Sequence, residues 1–265
     1  MSRLEEGLGA QLLARTTRKL HLTEAGAAYL ERVGPALLRI EEAGREAQGH
    51  LDTPRGHLRI TAPADLSITW LPPLIASFRA RHPQVTIEVL VESRFIDLVG
   101  EGVDLAVRPA AELQDSGLVA RRIAATELAL WASRRYLRRK GTPHAPADLT
   151  RHALLQLGPP KGSLTLRGPE GQSLTEVRVV ASGNDPMFLR ELALKDAGIA
   201  VLPSLFARAE EGLVRVLPEH GLRPVGLYLV HPAARAVPAK VRIFRDYLTK
   251  HAPGSAPFLA LLRKW

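Results

Sequence analysis

The sequence contains no cysteine among its 265 residues. Disulfide frameworks, thiolate metal sites and cysteine nucleophiles are therefore excluded, and a reducing compartment fits this composition. The sequence also lacks the run of about 18 uncharged apolar residues that a membrane-spanning helix needs. Its first ten residues, MSRLEEGLGA, do not form a secretory signal. We therefore expect a cytoplasmic protein with no membrane partner.

Catalytic and metal-binding signatures are missing as well. The sequence has no G-x-G-x-x-G, G-x-x-x-x-G-K-[ST], H-E-x-x-H or G-x-S-x-G motif. Its nine histidines are scattered, with no two at metal-ligand spacing beside a third ligand. The glycine- and proline-rich segment 158–163 has the wrong spacing for a phosphate loop and predicts a turn. We predict no catalytic residue, no cofactor and no metal site, and a protein that is not an enzyme.

Positive charge is the one departure from an average composition. Lys and Arg number 36 against 27 Asp and Glu, which gives a net charge of +9 and favours polyanionic partners, nucleic acid first. Nine basic and eight acidic residues fall within 1–59, so most of the excess lies in the remaining 27 basic and 19 acidic residues. The basic run 134–140 is typical of a solvated helix face, and an anion contact is the less common alternative.

A long helix is predicted from Thr23, which can cap its first turn. Apolar or small residues then recur at alternating spacings of 3 and 4, which defines a heptad seam: Leu30, Val33, Leu37, Ile40, Gly44, Ala47 and Leu51. A seam this narrow favours dimerisation through the helix, with packing inside one chain as the alternative. Gly34 and Pro35 interrupt the seam and should bend the helix.

Strands and helices alternate after a polar linker at 48–57. The first half predicts a parallel sheet covered by helices, with strands at 57–62, 85–91 and 103–108 and helices at 67–83 and 94–102. The second half repeats the alternation, with strands at 118–124, 127–133, 199–203 and 225–231 and helices at 185–198 and 239–251. This doubled α/β pattern predicts two lobes, whose ligands sit at the C-terminal ends of the strands.

Three parts of the sequence, in this order, resemble LysR-type transcriptional regulators: 3–26, then 61–89 with 97–108, then 196–218 with 238–248. The resemblance implies an α/β fold with a two-lobed effector domain similar to type 2 periplasmic binding proteins. A partial winged helix-turn-helix and a long linker helix precede it. The implied domains are 1–22, 23–51 and 58–265. Lobe I takes 58–125 and 231–265, and lobe II takes 126–230.

The resemblance also implies a function. Such a regulator binds double-stranded promoter DNA as a homodimer or homotetramer and responds to a small-molecule effector held between the lobes. Family members begin earlier, so only the end of the recognition helix is expected here, with Leu4, Leu8, Leu12 and Leu13 lacking burial partners. DNA binding by this chain is then weak or unspecific. The alternatives are a stand-alone small-molecule binding protein without specific DNA binding and a two-lobed transferase or lyase.

Candidate contact residues follow from the same resemblance. DNA phosphates are expected to meet Arg3, Arg15, Thr16, Thr17, Arg18 and Lys19. The unknown effector is expected to meet Ala64, Asp65, Leu66, Ser67, Arg108, Gly183, Asn184, Asp185 and Pro186. Two helix N-termini favour an anionic or carbonyl ligand, the aspartates favour a donor such as an amine, and Arg108 favours a carboxylate. Helix capping is the alternative role of both aspartates. Asp196 stands where many family members carry glycine.

Overall fold

The computed structural model describes residues 2–15, 20–47, 53–110, 117–207, 211–233, 237–256 and 258. Within these residues, a small N-terminal unit leads into one long helix, and two α/β lobes follow. No helix in this described part is long and apolar enough to cross a membrane.

The N-terminal unit consists of helix α1 (Ser2–Leu8) and an antiparallel hairpin of β1 (Leu13–Arg15) and β2 (Leu20–Leu22). The Glu5 carboxylate ties the two together, because its Oε1 accepts hydrogen bonds from the backbone N–H groups of residues 12 and 13 at 2.8 and 3.0 Å. The hairpin therefore keeps a fixed position on α1.

Of the four leucines predicted to lack burial partners, two are exposed, one is half-buried and one is buried. Leu4 and Leu8 expose 38% and 44% of their surface, whereas Leu12 exposes 3% and Leu13 is half-buried. The expectation for Leu12 was wrong, because the start of the next helix packs on it. A Cβ atom at Gly26 would lie 2.0 Å from the Leu12 carbonyl oxygen, so only glycine permits this approach.

Helix α2 spans Glu24–Ala47. The predicted cap is confirmed: Thr23 Oγ1 accepts a hydrogen bond from Gly26 N at 3.0 Å. The helix continues through positions 34 and 35. On its seam, the side chains of Leu30, Leu37 and Ile40 are more than half exposed. These three side chains are therefore not buried against other described residues of the same chain, as the alternative of packing inside one chain would require. Leu51 lies outside the described residues.

Lobe I is built on a five-stranded sheet in the order β4-β3-β5-β14-β6. Its strands are β3 (Gly56–Ala62), β4 (Val85–Val91), β5 (Leu105–Ala110), β6 (Leu118–Thr126) and β14 (Val225–Pro232). Strand β3 runs parallel to β4 and β5, whereas β14 is antiparallel to β5 and β6. Helices α3 (Ala64–Thr69), α4 (Leu71–Arg81) and α8 (Ala239–Lys250) enclose the core around Trp70, Phe78 and Phe244.

Lobe II is built on a second five-stranded sheet in the order β11-β8-β12-β7-β13. Its strands are β7 (Leu128–Ser133), β8 (Ala153–Leu157), β11 (Arg178–Gly183), β12 (Ile199–Pro203) and β13 (Leu213–Val216). A separate hairpin joins β9 (Ser163–Gly168) to β10 (Gly171–Glu176). The helices are α5 (Arg134–Lys140), α6 (Pro186–Leu194), α7 (Ser204–Ala207) and a 3-10 turn at Pro146–Arg151. The five cations of α5 are exposed, which confirms a solvated helix face.

Of two predicted helices in lobe I, one is divided into two and the other is wrong. The helix expected at 67–83 is α3 followed by α4, because Pro72 and Pro73 have no N–H with which to continue the bonds of α3. The segment 94–102 is a series of turns. Asp97 Oδ1 accepts a hydrogen bond from Val99 N at 3.1 Å, and Gly102 has a φ of 69°, which favours a tight turn over a helix.

The return of the chain to lobe I occurs earlier than predicted. Strand β14 begins at Val225 and lies between β5 and β6, so lobe II ends before 225 instead of at 230. The sequence pattern located the strand but gave no sign of its partners, which are distant along the chain.

Asp196 adopts the left-handed backbone conformation that glycine would favour, with a φ of 60°. Its side chain compensates for that cost. Ser133 Oγ donates a hydrogen bond to Asp196 Oδ1, and Arg135 Nε lies 3.2 Å from Oδ2. The carboxylate therefore links the end of α6 to the start of α5.

Candidate functional site: the interlobe cavity

The chain crosses between the lobes twice, and a cavity of about 270 Å³ lies beside both crossings. The first crossing is the short step from β6 to β7 at Glu127, and the second leads into β14. The lining residues from lobe I are Pro63, Asp65, Leu66, Ser93, Pro109, Ala124, Ala125, Thr126, Val225, Gly226 and Leu227. Those from lobe II are Leu128, Leu157, Gly158, Asn184, Pro186, Pro203 and Leu205. A molecule in this cavity touches both lobes at once.

The lining is mainly apolar, with four polar side chains: Asp65, Ser93, Thr126 and Asn184. The hydroxyl of Thr126 is already engaged within the protein, because it accepts a hydrogen bond from Leu205 N at 3.4 Å. Asp65 is the one charged residue among the described lining residues, and none of them is Lys, Arg or His. The cavity therefore combines an apolar wall with a single negative charge.

Asp65 is the second residue of α3 and is 4% exposed. Burial raises its pKa from 3.8 to about 6, and the neighbouring charge of Asp185 acts in the same direction. Its Oδ1 accepts a hydrogen bond from Leu66 N at 2.9 Å, and no described side chain donates to it. Asp65 is not the N-cap of α3, because Pro63 holds that position. The capping alternative is therefore wrong for this residue.

Asp185 is the N-cap of α6. Its Oδ1 accepts hydrogen bonds from Met187 N at 2.7 Å and Phe188 N at 3.3 Å. The capping alternative is therefore confirmed here, and the side chain is absent from the described lining. Because this carboxylate already occupies two N–H groups of α6, and α3 is only six residues long, the expected pair of helix N-termini gives little support to an anionic ligand.

Arg108 lies outside the cavity. Alternation along β5 puts its side chain on the same sheet face as Ala106, away from the core that contains Val107. The guanidinium donates hydrogen bonds to Thr61 Oγ1 at 2.9 Å and to the Arg94 carbonyl at 3.3 Å. Burial lowers its pKa, an effect that Glu92 opposes. This placement does not favour the predicted contact with a ligand carboxylate, and the hydrogen bonds of Arg108 hold the segment beside Ser93 against the sheet.

Four of the nine predicted effector residues line the cavity: Asp65, Leu66, Asn184 and Pro186. The other five are absent from the described lining: Ala64, Ser67, Arg108, Gly183 and Asp185. Sequence reasoning missed the residues at and near the crossings, namely Thr126, Leu128, Pro203, Leu205 and Val225. The signal that could have identified these lining residues is the change of sheet at Glu127, because ligands of open α/β sheets bind at such switch points.

The predicted DNA-contact residues fall on the N-terminal unit. Arg3 lies in α1 and Arg15 ends β1. Thr16, Thr17, Arg18 and Lys19 lie outside the described residues, in the connection between β1 and β2.

A long helix followed by two α/β lobes, with a cavity at their crossings, defines an effector-binding protein of the periplasmic-binding-protein type. The LysR substrate binding domain family matches residues 51–253. The chain is 35% identical to an HTH-type transcriptional regulator of Xanthomonas campestris over 97% of this chain and 77% of that protein. It therefore belongs to the LysR family, whose matched relatives are transcriptional regulators and not enzymes.

Solved structures agree with this assignment. CrgA, a LysR-type transcriptional regulator from Neisseria meningitidis, superposes with a TM-score of 0.69 at 30% identity, covering 96% of this chain and 88% of CrgA. The Vibrio cholerae virulence activator AphB superposes with a TM-score of 0.65 at 28% identity, covering 93% of this chain and 86% of AphB.

Proposed function

We propose that this chain is an effector-responsive transcriptional regulator that binds promoter DNA as a homodimer or homotetramer. A small molecule in the interlobe cavity changes how the protein sits on DNA. The observation that carries this proposal is the placement of the cavity between the lobes, lined by both. Promoter DNA is the proposed partner, so the proposed location is the cytoplasm.

The crossings supply a physical route from ligand to lobe orientation. Glu127 sits between the lobes, where its carbonyl accepts a hydrogen bond from Ser204 N at 2.8 Å and its carboxylate pairs with Arg215 at 2.7 Å. The second crossing is held by Leu222 N, which donates to the Leu128 carbonyl at 2.9 Å. A ligand shifts an equilibrium between lobe orientations by the difference in its affinity for them, and contacts to both lobes create that difference.

The exposed seam of α2 supports assembly through this helix. Burying one aliphatic side chain contributes about 1.5–3 kcal/mol, so pairing Leu30, Leu37 and Ile40 with a second copy is favourable. We expect a dimer or tetramer at micromolar concentration in analytical ultracentrifugation. Leu37→Glu should shift the population towards monomer. Ala28→Glu is the matched control, because it places the same charge on the opposite face of α2. A wild-type monomer would overturn this part of the proposal.

Two measurements test the function itself. Thermal stabilisation by a panel of small molecules should be lost in Ala125→Trp, whose indole fills the cavity. Ligands found in this way should change the affinity of the protein for the DNA upstream of its gene, measured by fluorescence anisotropy against a scrambled duplex. Ligand binding without any effect on DNA affinity would favour the stand-alone binding protein. Turnover of the ligand would favour the enzyme alternative.

DNA contacts through the hairpin have their own test. Replacing Arg15, Arg18 or Lys19 by alanine should weaken binding to every duplex by a similar factor. Each substitution should also reduce the salt dependence of the affinity by about one counterion, because phosphate contacts carry no sequence information. An unchanged affinity for DNA would contradict the proposed contacts.

A further inference from the structure

The chemistry of the cavity identifies the class of effector, an inference that rests on the function proposed above. We propose that the effector is a small amine that binds in its ammonium form, with a mainly apolar body, and that its ammonium group contacts the carboxylate of Asp65.

Size and wall chemistry define the body of the ligand. A cavity of 150 Å³ lined by apolar side chains holds one benzene molecule. At about 270 Å³, this cavity has room for one aromatic ring with a short chain. Leucines from both lobes line it, at 66 and 227 in lobe I and at 128 and 157 in lobe II. Apolar surface from both lobes therefore contacts such a ligand.

An anionic ligand meets no positive group there. The described lining contains no Lys, Arg or His. The guanidinium of Arg108 is directed at Thr61 and the Arg94 carbonyl on another face of the sheet. The N–H groups at the start of α6 already bind the Asp185 carboxylate. A carboxylate ligand would therefore be desolvated beside Asp65 without compensation.

An ammonium group supplies the hydrogen-bond donors that the Asp65 carboxylate lacks. An ionised carboxylate accepts about four hydrogen bonds, yet the donors available to Asp65 from the described residues are the backbone N–H groups of Leu66 and of Asp65 itself. An ammonium donor adds a charge–charge attraction to its hydrogen bond with the carboxylate, whereas a hydroxyl donor is neutral. An amine therefore gains more from this position than an alcohol of the same shape.

The pH dependence of binding has a defined sign. Asp185 on α6 is the charged group that acts on Asp65, and the described lining adds no cation. Protonation of Asp65 removes the charge that attracts ammonium. Because its pKa is raised to about 6, the affinity for an amine should fall as the pH is lowered through that value.

The test uses three probes that share a phenylethyl group: 2-phenylethylamine, 2-phenylethanol and 3-phenylpropionate. Isothermal titration calorimetry with the full chain at pH 7.5 should show the amine binding at least tenfold more tightly than the alcohol. The carboxylate should bind most weakly. Equal affinity for amine and alcohol, a preference for the carboxylate, or no binding by the amine would overturn the proposal.

Two variants separate this inference from the proposed function. Asp65→Asn keeps an oxygen for Leu66 N and removes the charge, so it should abolish the preference for the amine while leaving alcohol affinity unchanged. Glu170→Gln, an exposed site in the turn between β9 and β10, is the matched charge control. A preference for the carboxylate that Ala125→Trp abolishes would overturn the amine inference alone. Ligand binding that Ala125→Trp leaves intact would overturn the cavity function as well.

Discussion

Replacing Asp65 by asparagine should stabilise the free protein, and the gain should depend on pH. The side chain is 4% exposed and receives no hydrogen bond from a described side chain, so its charge is poorly compensated in the folded state. Asparagine has nearly the same shape, can still accept from Leu66 N and carries no charge. The substitution therefore removes a desolvation cost and little else.

The size of the effect follows from the pKa. Burial raises the pKa of Asp65 from 3.8 to about 6, so the folded state binds this proton more tightly than the unfolded state does. Stability from this group is therefore highest at low pH, falls as pH rises from about 4 through 6, and is constant above that range. The difference corresponds to about 3 kcal/mol at pH 8 and to about half of that at pH 5.

Urea unfolding at equal protein concentration measures this gain. Asp65→Asn should exceed wild type in free energy of unfolding by up to about 3 kcal/mol at pH 8, and by roughly 1.5 kcal/mol less at pH 5. Comparing the two proteins at each pH cancels the titration of all other groups. Glu170→Gln should show no such dependence. A gain that is the same at pH 5 and pH 8, or a loss at pH 8, would refute the reasoning.

Substitutions at three further residues test contacts described above, those at Asp185 and Asp196 by urea unfolding and those at Arg108 by amide hydrogen exchange. Asp185→Ala should cost about 1 kcal/mol by removing the cap of α6, whereas Asp185→Ser should retain most of the stability. Asp196→Ala should be less stable than Asp196→Gly by about 1 kcal/mol, because both lose the carboxylate contacts but only glycine tolerates a φ of 60°. Arg108→Ala should speed amide hydrogen exchange in 92–101, and Arg108→Lys should restore it only in part, since lysine lacks the planar fork. Unchanged exchange would contradict the positioning role of Arg108.

Local signals in the sequence predicted the helices and strands well where the hydrophobic periodicity agrees with the residue types at the ends of the element. Strands such as β4 and β12 match the predicted bounds, and Thr23 caps α2 as its residue type indicates. Predictions failed where the local effect of proline or aspartate residues overrode the hydrophobic periodicity of a predicted helix. Two adjacent prolines split the helix at 67–83, and the side-chain bond of Asp97 turned 94–102 away from a helix.

The site was harder to predict because its walls come from positions far apart in the chain. Asp65 and Asn184 were predicted from the resemblance to the LysR family. Val225 and Leu205 become lining residues only through the pairing of β14 with β5 and β6 and the approach of the two lobes. Arg108 illustrates the converse. Its position at a strand end suggested a ligand contact, yet strand alternation directs it to the other face, and a one-residue shift in register would have reversed this outcome.

The net charge of the protein is positive, whereas the charge in the cavity is negative. The charge in the cavity decides whether a cationic or an anionic ligand is preferred. Surface cations such as those of α5 are screened by salt within about 10 Å, so the net charge of +9 contributes little inside the cavity. A buried carboxylate is screened far less, because its field lines pass through apolar protein. Asp65 therefore sets the sign of the potential that a ligand meets in the cavity. The cationic excess acts outside it, where encounter with a polyanion such as DNA depends on the whole surface.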